Sequence, residues 1–391
     1  MNMMTNIQMT PAEEMLGQML PTRRVESFHY TDLRSLIGSF PAAISQAETS
    51  GDNYKRLVAT SRLPIFDGKL FVDLMDELPL GVSLEKDVAR ARATDIDDTL
   101  VAINALGESD AFALVIEGDA TAAKPLGLAH VANSAGMTNV FHSVTVKTGA
   151  IASVIDRYLS EDGVSHLSSV VIDLAIEKDA QATWIITQEE SADSTRLARL
   201  NVSLAENADL KIFMLNAGGK LVRQEINVIS RGEGSNLDIK GVNLIGSNSH
   251  VDVTTVLSHT EPNTNSNQLF RNIMTGNGKG VFQGQIKVHQ IAQKTDAQMA
   301  CNTLVLSDEA AFYAKPELEI FADDVVCAHG ATVTELDEDH LFYLRARGVT
   351  ERTARALLVE AFVDEVVEEL EDEALVEALE NIIAAWLDKN G

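Results

Sequence analysis

The sequence predicts a mainly β protein whose strand-rich core is flanked by an N-terminal and a C-terminal helical region. Three observations predict this class. From about Phe112, apolar residues alternate with a period of two in short segments that Gly, Asn, Asp and Ser separate. Turn segments of similar composition recur at an offset of 28 residues, which sets Ala180 against Ala208. On both sides of this core, apolar residues recur at helical spacing.

The repeat indicates how the strands are organised. Residues 177–182 and 205–210 each precede a strand, and residues 231–236 have the same role in the next unit. A repeat of strands and turns favours a parallel β-helix, a solenoid in which each coil adds strands to growing sheets. A β-sandwich is the alternative that periodicity alone leaves open. We expect three regions, namely 1–110, mostly helical, 111–335, the strand core, and 336–391, helical.

The N-terminal region begins with two predicted helix starts. Thr10 followed by Pro11 has a cap residue and then proline at the first helical position. A second start lies at residues 31–34 and a further helix at residues 95–106. Residues 63–72 are different, because two short extended pieces surround Asp67-Gly68, the dipeptide of a tight hairpin turn.

Six segments of the core have the alternation or the β-branched content of strands. They are residues 113–117, 126–128, 140–146, 169–174, 183–186 and 211–214. The glycine-rich residues 276–280 lie between two such segments and lack the Gly-Lys-Ser/Thr ending of a phosphate loop, so we interpret them as a β-turn.

The C-terminal region predicts a helical hairpin with two apolar stripes. One stripe is Ala354, Leu357, Leu358, Ala361 and Phe362, and the other is Leu375, Ala378, Leu379, Ile382, Ile383 and Trp386, with a break at residues 371–373. The opposite face carries Glu365, Glu368, Glu369 and Glu377. These acids form either a solvated surface or a face that docks a partner of matching charge.

Composition excludes two classes of partner and suggests a compartment. With 31 basic and 58 acidic residues, the net charge is −27, which repels nucleic acid phosphates and anionic lipid surfaces. No apolar run approaches the roughly 20 residues of a membrane helix. The two cysteines do not make a disulfide framework, and the first residues do not have the pattern of a secretory signal. We therefore expect a cytoplasmic protein.

Residues 314–349 contain an extended apolar run, then an acidic pair, and then the one Cys-x-His of the chain, Cys327 and His329. In an extended backbone these two side chains leave on the same face, with Cβ atoms roughly 6 to 7 Å apart. Shared metal coordination is therefore permitted, although packing and hydrogen bonding are the ordinary role of such a pair. Beyond Gly330, acidic residues 335–339 precede a helical pattern, as the helix dipole favours.

The segments KPELEIFADDVVCAHGATV and ELDEDHLFYLRARGV resemble the signature of the SufB/SufD family of iron–sulfur cluster assembly proteins, on its SufD side. LPTRRVESFHYTDLR, residues 20–34, resembles the N-terminal element of that family. Residues 28–30 depart from the usual Trp-Lys-Tyr, and Thr334 replaces a common glycine. The resemblance implies the parallel β-helix and a non-catalytic scaffold.

The resemblance also implies partners and site residues. His329 maps to the histidine implicated at the interface with SufB, where a nascent cluster is thought to assemble, and Cys327 maps to its neighbour. A cluster normally takes four protein ligands, mostly thiolates, and this chain has two cysteines, so the resemblance implies a transient cluster that is shared with SufB. The ABC-type ATPase SufC is expected to dock on the helical region and to supply ATP hydrolysis. The residues expected to bind SufC are Leu341, Phe342, Tyr343, Leu344, Arg345, Arg347, Gly348, Leu358 and Phe362. A homodimer is expected when the chain is alone.

Two alternative functions remain. A SufB-like cluster scaffold is the nearer one, and a β-helix carbohydrate enzyme that uses Asp173, Asp238 and Asp252 is the remote one. We expect Cys301 to be a buried small hydrophobe. The remaining histidines of note are His250, His259 and His289, for which structural hydrogen bonding is expected.

Overall fold

A computed structural model describes residues 20–44, 46–49, 56–89, 98–105, 110–119 and 124–390. Its core is two sheets that face each other across one apolar interior. Within these residues, sheet A has nine strands in the order β18-β16-β14-β12-β10-β8-β6-β4-β3, and sheet B has ten in the order β19-β17-β15-β13-β11-β9-β7-β5-β1-β2. Successive strands from β4 onward alternate between the two sheets, as the coils of a solenoid require.

The strands are as follows, in chain order. The first nine are β1 Ser61–Phe66, β2 Lys69–Leu70, β3 Val82–Lys86, β4 Ala111–Ile116, β5 Leu126–Ala132, β6 Gly136–Val146, β7 Ile151–Ser160, β8 His166–Ile176 and β9 Gln181–Glu189. The next ten are β10 Thr195–Leu204, β11 Asp209–Asn216, β12 Leu221–Ser230, β13 Asn236–Ile245, β14 His250–His259, β15 Asn265–Met274, β16 Lys279–Val288, β17 Asp296–Val305, β18 Ala311–Ile320 and β19 Val326–Thr334.

Parallel pairing confirms the β-helix and excludes the β-sandwich, whose sheets are antiparallel. Neighbours in both sheets run parallel, except the pairs β1–β2 and β3–β4 at the N-terminal end. The 28-residue offset between turns in the sequence equals the pairing register of β9 and β11, since Gln181 pairs with Asp209. In the turns, Asp179 and Asn207 hold left-handed backbone angles, and the Asn207 amide donates to Asp179 across 2.9 Å. The turn predicted at residues 276–280 is observed at Gly276 and Asn277, and Lys279 and Gly280 already belong to β16.

The N-terminal region differs from the prediction of a mostly helical domain. In its described part, the α-helices are α1, Leu33–Ile37, and α2, Thr99–Asn104, with short 3-10 turns at Glu26–Phe28 and Val72–Leu74. Strands β1, β2 and β3 already belong to the solenoid. The Asp67-Gly68 hairpin is confirmed, and it joins the two antiparallel strands that begin sheet B. The helix start at Thr10 lies outside the described residues.

The C-terminal region confirms the helical hairpin. Its helices are α3 Glu338–Ala346, α4 Glu351–Val367 and α5 Glu373–Asn390. Asp337 caps α3, because its carboxylate accepts from the Asp339 and His340 backbone N–H groups at 2.9 and 3.0 Å. Helices α4 and α5 cover the outer face of sheet B, where Ile185, Phe213 and Val242 belong to the same buried cluster as the helices.

The apolar stripe predicted for α4 is wrong at two of its five members, Leu357 and Ala361. Ala354 is buried, but Leu357 and Ala361 are exposed, while Leu358 and Phe362 are half-buried. The helix buries Val359, Val363, Val366 and Val367 instead. Both sets have helical spacing, and contact with sheet B selects the valines. In α5 the prediction holds better, since Leu375, Leu379 and Ile383 are buried.

Two acids that the sequence placed on an outward face are in fact paired with the solenoid. Glu365 forms an ion pair with Arg271 of β15, and Glu369 forms one with Lys240 of β13. Next to them, Glu371 accepts from Lys211 of β11 across 2.9 Å. The helical layer is therefore fastened to sheet B by charge as well as by apolar contact. Glu368 and Glu377 remain exposed.

Among the helices of the described residues, none combines the length and the apolar character that crossing a membrane demands.

Candidate interface site at the open end of the solenoid

The two ends of the solenoid are built differently. At the N-terminal end, the outermost strands are the two-residue β2 and the antiparallel β3, which carries Glu85 and Lys86. Short and charged edge strands resist pairing with other chains. At the C-terminal end, the outermost strands are β18 and β19, with ten and nine residues, and among the described residues each has a neighbouring strand on one side only. This open end therefore presents two long rows of unpaired backbone groups.

Apolar side chains at the open end are exposed to solvent. The exposed fractions are 63% for Val326, 53% for Val333 and 59% for Phe321, while Ile320 is 41% exposed. Exposed apolar groups on a long edge strand are characteristic of a surface that associates with another chain.

Cys327 and His329 lie on β19, on the side that faces the solenoid axis. Cys327 pairs in register with Ala297 and His329 with Met299, and both of these β17 residues belong to the interior cluster. Cys327 is half-buried and packs against that cluster, whereas His329 is exposed. The sequence prediction that both side chains leave on one face agrees with this register. Burial raises the pKa of the Cys327 thiol, and the charge of Asp296 adds to the effect.

Cys301 lies on β17, the strand next to β19 and one position further from the open end. It pairs in register with Ala331, so four residues along the strand separate it from Cys327, or roughly 13 Å. Its side chain is 0% exposed, as expected for a buried small hydrophobe, and burial raises the pKa of its thiol to about 12. Within the part of the chain that the structure describes, no three His, Cys, Asp or Glu side chains are arranged to hold a metal ion.

The residues predicted to bind an ATPase divide into exposed and buried groups. Phe342 and Tyr343 of α3 are 73% and 55% exposed, and the Arg347 guanidinium lies 4.6 Å from the centre of the Tyr343 ring. Arg345 and Gly348 are also exposed, and Leu344 is half-buried. In contrast, Leu341 is 3% exposed. The half-buried Phe362 ring packs beneath Arg271, and Leu358 is half-buried beside it in α4.

Comparison with known proteins identifies the family. Over 376 residues the chain is 32% identical to the iron-sulfur cluster assembly protein SufD of Escherichia coli (strain K12), which covers 93% of this chain and 88% of that protein. Residues 130–362 match the family described as SUF system FeS cluster assembly, SufBD core domain. The chain belongs to the SufBD family. The resemblance seen in the sequence is thereby confirmed.

More distant members cover a similar share of this SufBD chain. An iron-sulfur cluster assembly SufBD family protein of Synechocystis is 27% identical over 92% of the chain and 86% of that protein. The chloroplastic protein ABCI7 of Arabidopsis thaliana is 26% identical over 97% of the chain and 86% of its own length. The family match of residues 130–362 extends from β5 into α4, so it includes β18, β19 and the exposed part of α3.

Sequence reasoning missed a line of polar side chains inside this SufBD solenoid. One register position of sheet B carries His130, Tyr158, Gln188, Asn216, Asn243, Asn272 and Thr303 in successive strands. The Asn216 amide donates to Asn243 at 2.7 Å and the Asn243 amide to Asn272 at 2.8 Å. The signal in the sequence is a polar residue every 27 to 31 positions, and only the pairing register makes it visible.

At the N-terminal end of this line, a buried charged cluster surrounds Tyr158. Its hydroxyl donates to Asp156 across 2.9 Å, its ring stacks on His130, and the Arg196 guanidinium lies 3.4 Å from the ring centre. Burial would raise the pKa of Asp156, but hydrogen bonding and charge attraction from His130 lower it. Burial lowers the pKa of His142, which stacks beside His130, to about 3. Asp156 is therefore charged and His142 neutral at neutral pH.

Two other predictions for the core have clear outcomes. His250 and His259 make structural hydrogen bonds, to Thr31 at 3.0 Å and to Thr264 at 2.8 Å. The carboxylates considered for a carbohydrate enzyme do not converge, because Asp238 lies on sheet B while Asp173 and Asp252 lie on sheet A, three strands apart. Asp252 is fully buried and paired with Arg223. This arrangement does not provide the facing carboxylates of a glycosidase.

Proposed function

We propose that this SufBD chain is a non-catalytic scaffold subunit of an iron–sulfur assembly complex, in which it pairs with a SufB-type paralogue at the open end. The observation that carries the proposal is the pair of long unpaired strands β18 and β19, with Cys327 and His329 on the axis-facing side of one of them. A partner solenoid that adds strands to these edges would satisfy their backbone groups and cover the exposed Val326 and Val333.

The nascent cluster is the cargo of this complex. Iron–sulfur clusters normally take four protein ligands, mostly thiolates. At the open end, this chain offers Cys327 and His329, while Cys301 is fully buried one strand further in. The paralogue would therefore supply the remaining ligands. His329 is the better placed of the two residues to meet an incoming group, because it is exposed whereas the Cys327 thiol is half-buried.

The helical region is the proposed docking surface for a SufC-type ATPase. Phe342 and Tyr343 are exposed aromatic side chains next to two exposed arginines, Arg345 and Arg347, in a chain of net charge −27. Aromatic and arginine side chains are the types enriched at energetically important interface positions. Leu341 and Phe362 would act indirectly, by supporting α3 and α4 from beneath.

Anaerobic co-purification with SufB-type and SufC-type partners from the same source tests the proposal. The wild-type chain is compared with His329→Ala and with His340→Ala, a control in which an exposed histidine of α3 is removed. We expect all three complexes to assemble, and only His329→Ala to lose bound iron and sulfide. Equal cluster content in the three complexes would assign His329 a structural role. Failure of the wild-type chain to bind either partner would contradict the scaffold proposal.

A homodimer is proposed for the isolated chain, since the same edges are available to a second copy. Sedimentation should show a dimer in the absence of the paralogue, and titration with the paralogue should replace it by the mixed complex. A chain that stays monomeric at micromolar concentration would argue against pairing through β18 and β19.

A further inference from the structure

Residues 20–40, here called the N-terminal arm, lie across the outer face of sheet A. Four apolar side chains of the arm are buried there together with Met137, Leu167, Leu197 and Leu221 from successive strands of that sheet. The four are Leu20, Phe28, Leu33 and Phe40. The arm thus spans the sheet from β6 toward the open end.

Buried polar contacts anchor the arm at Thr31, which is 0% exposed. Its hydroxyl donates to the Asp252 carboxylate and lies 3.0 Å from His250 Nε2. Because the hydroxyl has one proton, and Asp252 receives it, the His250 ring must donate through Nε2. Asp252 is also paired with Arg223, so the arm residue completes the hydrogen bonding of a fully buried ion pair.

A second anchor holds the backbone at Ser27. Its carbonyl oxygen accepts from the Arg223 guanidinium at 3.0 Å and from the Gln283 amide at 3.1 Å. The same guanidinium lies 4.3 Å from the centre of the Phe28 ring. Removing one partner from such a buried network is costly, so these positions of the arm are fixed relative to sheet A.

Two arm residues contact the edge strand β18, and each is adjacent in sequence to one of these anchors. Glu26, next to Ser27, accepts from Lys315 of β18 across 2.8 Å. Tyr30, next to Thr31, stacks on Tyr313 of β18 with ring centres 5.0 Å apart. Lys315 and Tyr313 have their backbones on the outermost strand of sheet A. A rigidly anchored segment therefore contacts the edge strand at two points on its outer face.

We propose that the N-terminal arm is a brace for strand β18, with Tyr30 and Glu26 as positioning residues that hold the edge in the geometry required to pair with a partner solenoid. The proposal rests on the proposed function of the open end, since it concerns the same edge. The arm does not occupy the unpaired backbone groups of β18, because its contacts are with side chains on one face. It therefore does not compete with a partner strand for these groups.

The test compares Tyr30→Ala and Lys315→Met with Arg24→Ala, in which an exposed residue of the same arm is changed. Two quantities are measured: the dissociation constant for the second copy or the paralogue, and amide hydrogen exchange of Ala311–Ile320 at a chain concentration low enough that sedimentation shows only monomer. An aromatic pair contributes about 0.5 to 1.5 kcal/mol, so Tyr30→Ala should weaken pairing roughly two- to tenfold. Exchange in β18 should become faster by a similar factor, while exchange in β12 and the behaviour of Arg24→Ala should stay as in the wild type.

The two measurements separate the brace from the proposed function. Faster exchange in β18 with weaker pairing supports both. If exchange in β18 becomes faster in the variant but the wild-type chain binds neither a second copy nor the paralogue, the brace is supported and the function proposed for the edge is contradicted. Unchanged exchange overturns the brace, and so does tighter pairing in Tyr30→Ala, because an arm that blocks the edge would give that result.

Discussion

The buried face of helix α4 gives a prediction that separates the tertiary structure from the pattern in the sequence. Val363 is 0% exposed and belongs to the cluster between α4, α5 and sheet B, whereas Leu357 is 45% exposed. Helical periodicity in the sequence had favoured Leu357 and omitted Val363. We therefore compare Val363→Ala with Leu357→Ala, in which the larger side chain is expected to have the smaller effect.

The magnitude follows from the burial of the two side chains. Val363→Ala removes two buried carbon groups, worth about 0.8 kcal/mol each, and leaves a cavity that adds to the loss. The expected decrease in the free energy of opening α4 is about 2 kcal/mol. Leu357→Ala removes three carbon groups from a surface position, where substitutions usually change stability by less than about 0.5 kcal/mol.

Native-state hydrogen exchange followed by mass spectrometry measures this opening for the peptide Glu351–Val367. A loss of about 2 kcal/mol increases the exchange rate of protected amides roughly 30-fold, since 1.4 kcal/mol corresponds to a factor of ten. We expect that increase for Val363→Ala, and a change of less than about threefold for Leu357→Ala. Equal effects, or a larger effect at Leu357, would refute the assigned orientation of α4 against sheet B.

Three further predictions concern chemistry. The native chain should react with a thiol-alkylating reagent at Cys327 well before Cys301, because the Cys301 side chain is fully buried and its pKa is raised to about 12; peptide mass spectrometry identifies the site. Burial lowers the pKa of His259 to about 4 from 6.5, so the unfolded chain binds the extra proton between these values and stability falls as pH decreases through them. Urea titrations at pH 7 and pH 4 measure this loss in the free energy of unfolding. We expect the loss to be smaller in His259→Asn than in the wild type, by up to about 3 kcal/mol. Phe342→Ala should weaken binding of the SufC-type ATPase at least tenfold without changing the unfolding midpoint, and an unchanged dissociation constant in calorimetry would remove α3 from the docking surface.

Local features of the sequence predicted the repeat of the solenoid and the orientation of its candidate ligands, while the choice of a β-helix over a β-sandwich depended on the family resemblance. Two turns set 28 residues apart matched the register Gln181 to Asp209, because each coil repeats one local unit of strand and turn. The period of two also placed Cys327 and His329 on one side of β19, since the alternation of side chains along a strand is a local property.

Which groups meet across the fold was decided by tertiary structure alone. Thr31 lies 221 residues from Asp252, and Arg271 lies 94 residues from Glu365. Neither contact can therefore be predicted from a local pattern of the sequence. Helical spacing allowed two stripes on α4, and only contact with sheet B selected the one that contains Val363. The sequence by itself thus determined the repeating unit and the faces of its strands. Packing determined the buried face of α4 and the anchoring of the N-terminal arm, because those depend on surfaces that exist only once the coils have stacked.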